Sequence, residues 1–362
     1  MTPDLALFPD DYAAARTQFR GLATAADWVQ QAYPLFVRGP DDLPLTIDSA
    51  TWDPPNARGT VIVTSGLHGA EGALGSALQA AYLSHWASLA PTDRPAVRLV
   101  FVHALNPYGY AWRRRVNEDN VDLNRNFLAP GQSYSGAPDG YAQLNPMLNP
   151  GTPPVRWEPF RIRALWAIAR LGLATLKQAI ATGQYEYPRG LFFGGHGTCV
   201  TTRYVRQVFP LWLGEQGPVI HLDVHSGLGE SGQLMLLAEQ SFDAAQLDRI
   251  TEKLGHRPHA PDAATGIHYR SRGSLGMEGA RLSAGRDYQY FCAEFGTFDP
   301  VTMLTALRAE NRAHHSIPDP ARAEHWAKDR LEAAFCPIAS KWRRQVLTTG
   351  FELIQRAVAS LS

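Results

Sequence analysis

A short apolar strand that runs into a glycine-rich turn constrains this chain more than any other feature of its sequence. Residues 61–64 read Val-Ile-Val-Thr, which is typical of a buried strand, and the alanine- and leucine-rich residues 73–89 predict a helix. The turn between them carries His68 and Glu71. Residues three apart face the same way at the start of a helix, so an imidazole and a carboxylate can share one metal ion there. The pair alone is also typical of an ordinary polar turn, and its meaning depends on the rest of the chain.

The order of the predicted elements favours an α/β fold. A strand, a helix and a second strand follow one another in the first third of the chain, which is the βαβ unit of a mainly parallel sheet. We therefore predict one three-layer α/β/α sandwich with a mixed, mostly parallel sheet, as a single domain over residues 1–362 with a helical C-terminal segment at 300–362. The predicted strands are residues 59–66, 97–104, 218–225 and 290–297. The patterns elsewhere predict helices at 12–32, 157–181, 241–255, 301–316, 319–335 and 339–361, extended chain at 35–53, a surface loop at 129–159 and irregular chain at 257–286.

Charge and cysteine content exclude several classes of partner and site. Lys plus Arg and Asp plus Glu are 34 each, so the chain has no overall field to recruit nucleic acid or an anionic membrane. The first residues lack a basic and apolar leader, which predicts a cytoplasmic protein. The 3 cysteines have no C-x-x-C pairing, so a metal site would need histidine and carboxylate ligands.

A dense polar run follows the second predicted strand, where the crevice of an open α/β sheet normally lies. It contains three consecutive arginines at 113–115 and the triplet Asn124-Arg125-Asn126. A charge run of this kind is often a solvated face, but interleaved Asn, Asp and Trp residues also favour an anion site. A bidentate guanidinium such as that of Arg125 suits a substrate carboxylate.

Two histidines and one carboxylate, with one position left open, form the ligand set of a catalytic zinc ion. His68 and Glu71 supply two of these ligands, and His225, at the end of the third predicted strand, is the best third. The next candidates for that place are His221 and His196.

A carboxylate in an apolar strand can serve as the proton carrier that such a site needs. Glu294 lies within Tyr290-Phe291-Cys292-Ala293-Glu294-Phe295, where burial would raise its pKa toward the range that favours general acid and base catalysis. The alternative is a core glutamate held in a salt bridge.

The chain resembles the zinc carboxypeptidase family, and within it a bacterial branch of carboxypeptidase-like proteins. The resemblance rests on the H-x-x-E…H…E arrangement of His68, Glu71, His225 and Glu294 and on residues 121–127, Val-Asp-Leu-Asn-Arg-Asn-Phe. The resemblance covers about residues 64–297. It implies one Zn²⁺ held by His68, Glu71 and His225, with Glu294 as general base and acid. It also implies that Asn124 and Arg125 hold the terminal carboxylate of the substrate and that Asp122 hydrogen-bonds the far nitrogen of His68. Arg115 would stabilise the oxyanion. Arg113 is the alternative for that role and a further candidate for binding the substrate.

The resemblance implies a zinc-dependent hydrolase that uses a metal-activated water to cleave an amide bond next to a free carboxylate. The substrate would be a small peptide or an N-acyl amino acid. One alternative is an N-acyl amino acid amidohydrolase of the aspartoacylase and succinylglutamate desuccinylase type, and another is a non-catalytic zinc-binding module of the same fold. The tyrosine that the family uses has three candidates here, Tyr269, Tyr288 and Tyr290.

Overall fold

A mixed sheet lies at the centre of the part of the chain that the computed structural model describes, residues 3–172, 176, 180, 182–259, 272–319 and 321–362. Its strands are β1 (Val29–Arg38), β2 (Pro44–Trp52), β3 (Thr60–Ser65), β4 (Arg98–His103), β5 (Val219–Gly227), β6 (Leu234–Ala238), β7 (Pro258–His259) and β8 (Tyr288–Gly296). They are ordered β1-β2-β4-β3-β5-β8-β6-β7. The four central strands, β4, β3, β5 and β8, pair in parallel, whereas β1 with β2, β2 with β4, and β6 with β8 are antiparallel.

Helices cover both faces of this sheet. Within the described residues they are α1 (Tyr12–Ala25), α2 (Gly72–Ser88), α3 (Pro107–Ala111), α4 (Tyr141–Leu148), α5 (Phe160–Leu171), α6 (Val200–Leu213), α7 (Ala244–Leu254), α8 (Leu275–Leu282), α9 (Pro300–Ser316), α10 (Trp326–Phe335) and α11 (Ser340–Ala359). On β3, Val61 and Val63 pack into one apolar cluster with α1, α2 and α11, and Ile62 packs into another with α6. Burial on both faces explains why the strand is continuously apolar. The predicted α/β/α sandwich is therefore confirmed.

The predicted central strands are confirmed to within two residues, while several boundaries elsewhere are wrong. The first helix ends at Ala25, because Asp27 has a left-handed φ of +61° and the chain then enters β1. The extended region predicted at 35–53 contains the end of β1, the 3-10 turn Pro40–Asp42 and all of β2. α10 begins at Trp326 and not near residue 319, and the side chain of His325 caps it. Pro320 lies outside the described residues.

Four helices occur where the sequence predicts none. α3 lies in the polar run after the second predicted strand, and Asn106 caps its first turn. α4 interrupts the predicted loop at 129–159, and it begins after Gly140, whose φ of +84° suits glycine. α8 interrupts the predicted irregular region, and Ser274 caps its first turn. α6 was not predicted at all. Its buried face packs on the sheet through Val205, Val208 and Phe209.

The helix at 157–181 was predicted to pack through Ile162, Leu165, Trp166, Ala169, Leu173, Leu176 and Ile180. This is wrong for the residues that lie in α5, whereas Leu176 and Ile180 are buried as predicted. Ile162 and Trp166 are 71% and 63% exposed, whereas Ala164 and Ala167 are buried. The small residues of α5 therefore face inward, and most of residues 173–181 lie outside the described part of the chain. In the described residues, no helix combines the length and apolar character needed to span a bilayer.

Candidate functional site

A tight turn between β3 and α2 places His68 and Glu71. Gly66 has a φ of +62°, and at Gly69 a Cβ atom would lie 2.0 Å from the backbone carbon of Gly109. Only glycine fits such a close approach, which explains the glycine-rich character of the turn. Residues Gly69–Glu71 form one 3-10 turn, so the two side chains point to the same side, as predicted from their spacing.

His225 joins this pair from the carboxyl end of β5, which lies beside β3 in the sheet. Its Nδ1 atom lies 2.9 Å from one carboxylate oxygen of Glu71, and Nδ1 of His68 lies 2.9 Å from the other. All three side chains are buried. The structure therefore brings together the three residues predicted to bind a metal.

The far nitrogen of each histidine contacts its own buried aspartate. Nε2 of His68 lies 3.1 Å from Asp122, and Nε2 of His225 lies 2.7 Å from Asp223. Ionised carboxylates only accept hydrogen bonds, so each Nε2 carries a proton and each Nδ1 of a neutral ring turns a lone pair toward Glu71. These two nitrogen lone pairs and the negative Glu71 carboxylate repel each other. The arrangement is stable only with a cation between them or with a second proton on each ring. Two imidazoles and one carboxylate are a zinc donor set, so these residues fit the predicted ion.

The pKa values of Glu71 and His225 also indicate that the space between the three side chains favours a positive charge. Burial raises the pKa of Glu71, but the nearby His68 and His225 outweigh this effect and hold that pKa well below its usual value. Burial lowers the pKa of His225, but Asp223 and Glu71 outweigh it and hold that pKa well above its usual value. The electrostatic environment therefore favours a cation between these side chains.

Asp223 is the functional candidate that sequence reasoning missed. It is fully buried and accepts hydrogen bonds from Thr64 Oγ1 at 2.6 Å and from Tyr290 at 2.9 Å, besides that of His225. The alternation that places His221, Asp223 and His225 on one face of β5 was the available signal. Asp122 occupies the corresponding place beside His68, as the resemblance implied.

The other candidates for the third ligand and for the family tyrosine have different surroundings. His221 is buried against Thr64 and Tyr288, and burial lowers its pKa to about 4. His196 is exposed. The hydroxyl groups of Tyr288 and Tyr290 are hydrogen-bonded beneath the site, and Tyr269 lies outside the described residues.

Glu294 lies directly opposite His225 in the parallel register of β5 and β8. Its Oε1 atom accepts a hydrogen bond from the backbone N–H of Leu228 at 2.7 Å. Burial, reinforced by the negative charge of Glu71, raises the pKa of Glu294 to about 7. A carboxyl group with such a pKa can both take and give a proton near neutral pH. No salt bridge to Glu294 occurs among the described residues, which disfavours the alternative of a salt-bridged core residue.

The three consecutive arginines have three different environments. Arg115 contacts Asp122 at 3.0 Å and Glu71 at 3.5 Å, and its guanidinium lies over the Phe192 ring at the site. Arg114 is fully buried and pairs with Glu310 at 2.9 Å, so it belongs to no solvated face.

Arg113 does not reach the site. Its guanidinium contacts Asp329 of α10 at 2.5 Å and the carbonyl of Ala323 at 2.6 Å. These contacts hold it against α10 and the chain before that helix, and it does not line the cavity described below. Its role in binding substrate therefore stays a prediction.

Asn124 and Arg125 lie on a separate 3-10 turn, Leu123–Arg125. Asn124 accepts a hydrogen bond from the backbone of Leu275 at the start of α8, and the Arg125 side chain passes Gly183, where a Cβ would lie 2.5 Å from its Cδ. Asn126 holds the turn from below, because its amide donates to the carbonyls of Gly194 and Gly197. The loop that contains Gly194 and Gly197 thus supports this turn.

The three proposed metal ligands, Glu294 and the Asn124-Arg125 turn open into one cavity of about 690 Å³. It is lined by His68, Glu71, Arg115, Asn124, Arg125, His225 and Glu294, together with many apolar side chains. Glu239, which sequence reasoning also missed, lines it as well. Burial raises the pKa of Glu239, against the opposing effects of Ser274 and Arg125.

Comparison with known proteins identifies the family and the fold. One family profile, described as "Protein of unknown function (DUF2817)", matches residues 8–349. No curated protein matches the sequence. Carboxypeptidase A from Helicoverpa armigera is similar in structure with a TM-score of 0.51 at 13% identity, over 92% of this chain and 75% of that one. A metallo-carboxypeptidase from Burkholderia cenocepacia has a TM-score of 0.44 at 10% identity, over 98% of this chain and 70% of that one. The first likeness confirms the carboxypeptidase-like fold predicted from the motifs, and at this identity it shows the fold alone.

Proposed function

Since the chain belongs to the DUF2817 family, whose function is unknown, we propose its function from the site: a zinc-dependent hydrolase that cleaves an amide bond next to a free carboxylate. One observation carries the proposal. Two imidazole Nδ1 atoms and the Glu71 carboxylate converge, each imidazole oriented by its own buried aspartate, in the cavity that also holds Glu294 and Arg125. Neither a purely structural zinc site nor a polar turn needs the last two groups.

The proposed ion is a single Zn²⁺ held by His68, Glu71 and His225. When bound, it polarises the amide carbonyl and makes water more acidic. Asp122 and Asp223 keep the two histidines in the tautomer that leaves Nδ1 free for the ion. The two histidines and Glu71 are thus assigned to binding, and the aspartates to positioning.

Glu294 moves the proton. It takes one from the attacking water, whose oxygen bonds to the acyl carbon, and delivers it to the amide nitrogen as the carbon–nitrogen bond breaks. The products are a carboxylic acid and an amine, so atoms and charges balance. A pKa near 7 suits a group that has to act in both directions.

The two arginines of the cavity have separate tasks. Arg125, with Asn124, binds the free carboxylate of the substrate through a bidentate guanidinium. Arg115, which lies against Glu71 and Asp122, stabilises the negative charge that develops on the carbonyl oxygen.

A peptide and an N-acyl amino acid both meet this description. The helical chain from α9 to α11 favours the carboxypeptidase-like form of the fold, because aspartoacylase-like proteins tend to follow the base with a β-rich domain. The largely apolar lining of the cavity favours an acyl group on the other side of the scissile bond.

The test uses the whole purified chain loaded with Zn²⁺ and offered C-terminal dipeptides, N-acyl amino acids and their C-terminally amidated counterparts. We expect hydrolysis of substrates with a free carboxylate only. Glu294→Gln should retain one zinc ion and lose activity by about 10²-fold to 10⁴-fold. The matched control is Glu252→Gln on the exposed face of α7, which should keep full activity. A zinc-loaded protein that hydrolyses nothing in the panel would favour the non-catalytic binding module.

A further inference from the structure

One wall of the cavity consists of hydrocarbon side chains from several helices. We call it the apolar wall, and its members are Met147, Ala167, Leu176, Ile180, Met303 and Leu307. We infer that the apolar wall takes the acyl part of the substrate, so that the preferred amides carry a long unbranched acyl chain. This inference rests on the proposed function and deepens it.

The cavity is too large for one compact side chain. An apolar cavity of about 150 Å³ is enough to hold a benzene ring. The whole cavity, including the space around its polar groups, measures about 690 Å³, more than four times as much, so a substrate with a single compact side chain would leave much of it unfilled. Unfilled apolar space gives up contact energy, which disfavours so small an occupant.

The composition of the cavity lining suits a flexible hydrocarbon. Met147, Met235 and Met303 all line the cavity, which is three of the 5 methionines in the chain. Methionine side chains are unbranched and adapt to irregular apolar ligands. The inward face of α5 presents Ala164 and Ala167, whose small side chains leave room for an occupant.

The wall begins at the proposed reaction centre. Ala70, the neighbour of Glu71, belongs to the same apolar cluster as the wall. Phe335 belongs to that cluster too, and its carbonyl accepts a hydrogen bond from Ser226, the neighbour of His225, at 2.7 Å. A chain attached to a carbonyl at the centre would therefore meet the wall at once.

A longer peptide fits this surface less well than a hydrocarbon. The side chains of the wall offer no hydrogen-bond donors, and their only polar atoms are weakly accepting thioether sulfurs. Peptide N–H and C=O groups placed against them would lose their partners in water without replacement. Methylene groups have no such partners to lose, so the wall selects for a hydrocarbon chain.

The first experiment measures kcat/KM of the zinc-loaded enzyme for N-hexanoyl, N-octanoyl and N-decanoyl alanine. We expect kcat/KM to rise with each added methylene, by at most about fourfold. Equal values across the series, or a fall with length, would overturn the inference.

The second experiment measures binding of decanoate, the acyl product, to the zinc-loaded protein by calorimetry. Ala167→Trp fills the inward face of α5 and should weaken decanoate binding at least tenfold, while Ala169→Trp on the exposed face of the same helix should leave it unchanged. Ala167→Leu is a smaller intrusion and should act in the same direction if the tryptophan variant does not fold. Equal binding by wild type and both Ala167 variants would overturn the inference.

The two experiments separate this inference from the proposed function. Decanoate binding that depends on Ala167, in a protein that hydrolyses no amide, would retain the acyl site and refute the hydrolase. Hydrolysis of N-acetyl amino acids and dipeptides without any effect of chain length would retain the hydrolase and refute the acyl site.

Discussion

Substitution of Asp223 by asparagine tests whether this buried carboxylate orients His225. The aspartate receives three hydrogen bonds, at 2.7 Å from His225, 2.9 Å from Tyr290 and 2.6 Å from Thr64. Asparagine keeps the shape but replaces one accepting oxygen by an NH₂ group and removes the charge. Either the NH₂ group faces His225 and favours the tautomer with a proton on Nδ1, or it faces the Thr64 hydroxyl and leaves His225 with a neutral acceptor.

Both orientations weaken the binding of zinc. Loss of an outer partner of a ligand histidine costs about 10-fold to 100-fold in metal affinity. This range corresponds to about 1.4 to 2.8 kcal/mol in the free energy of zinc binding. We expect this loss for Asp223→Asn, measured as the zinc dissociation constant in competition with a chromophoric chelator.

The control is Tyr288→Phe, which removes a buried hydroxyl group of the same hydrogen-bonded chain. That hydroxyl contacts His221 at 2.7 Å and does not contact Asp223. We expect wild-type zinc affinity for this variant. The reasoning would be refuted if Asp223→Asn bound zinc as tightly as the wild type, or if Tyr288→Phe weakened binding equally.

Three further predictions concern the ligands, the arginines and the pH profile. His225→Ala should lower the zinc content well below one ion per chain by elemental analysis, while His196→Ala, at an exposed position, should leave it at one. Arg125→Ala should chiefly raise KM, and this increase should disappear for substrates whose carboxylate is amidated. Arg115→Ala should chiefly lower kcat. The reverse pattern would exchange the roles of the two arginines. Glu294 has to be ionised to accept a proton, and its pKa is raised to about 7. A bound cation lowers this pKa, so kcat/KM should begin to fall at a pH of about 7 or below it. Below that point kcat/KM should decrease about tenfold for each pH unit. An acid limb that persists in Glu294→Gln would assign the titration to another group.

The sequence predicted the central sheet well because its strands are buried on both faces. Val61, Ile62 and Val63 are all inaccessible, and a run of that kind leaves little choice of structure. The three proposed ligands could be found because each lies at the carboxyl end of a central strand or in the turn after it. The single-domain organisation over residues 1–362 stays a prediction.

Side-chain partners that depend on neighbouring elements could not be predicted in the same way. Sequence spacing cannot distinguish Arg113, which pairs with α10, from Arg115, which pairs with Asp122. On α5 the apolar period was recognised from the residue spacing, but the face of that helix that carries Ile162 and Trp166 is exposed. Alanines face inward there because the helix borders a cavity and not a filled core.

The strand register that places His225 opposite Glu294 constrains substitutions in β5 and β8 more than in the helices that border the cavity. Neighbouring strands are held about 4.8 Å apart by backbone hydrogen bonds, so the spacing of these two residues does not depend on any loop. One residue inserted into β8 would turn Glu294 to the opposite face. The helices that border the cavity carry no such constraint. Protein engineers can therefore exchange α4 or α5 residues to change which ligands the cavity admits, while β5 and β8 keep His225 and Glu294 in place.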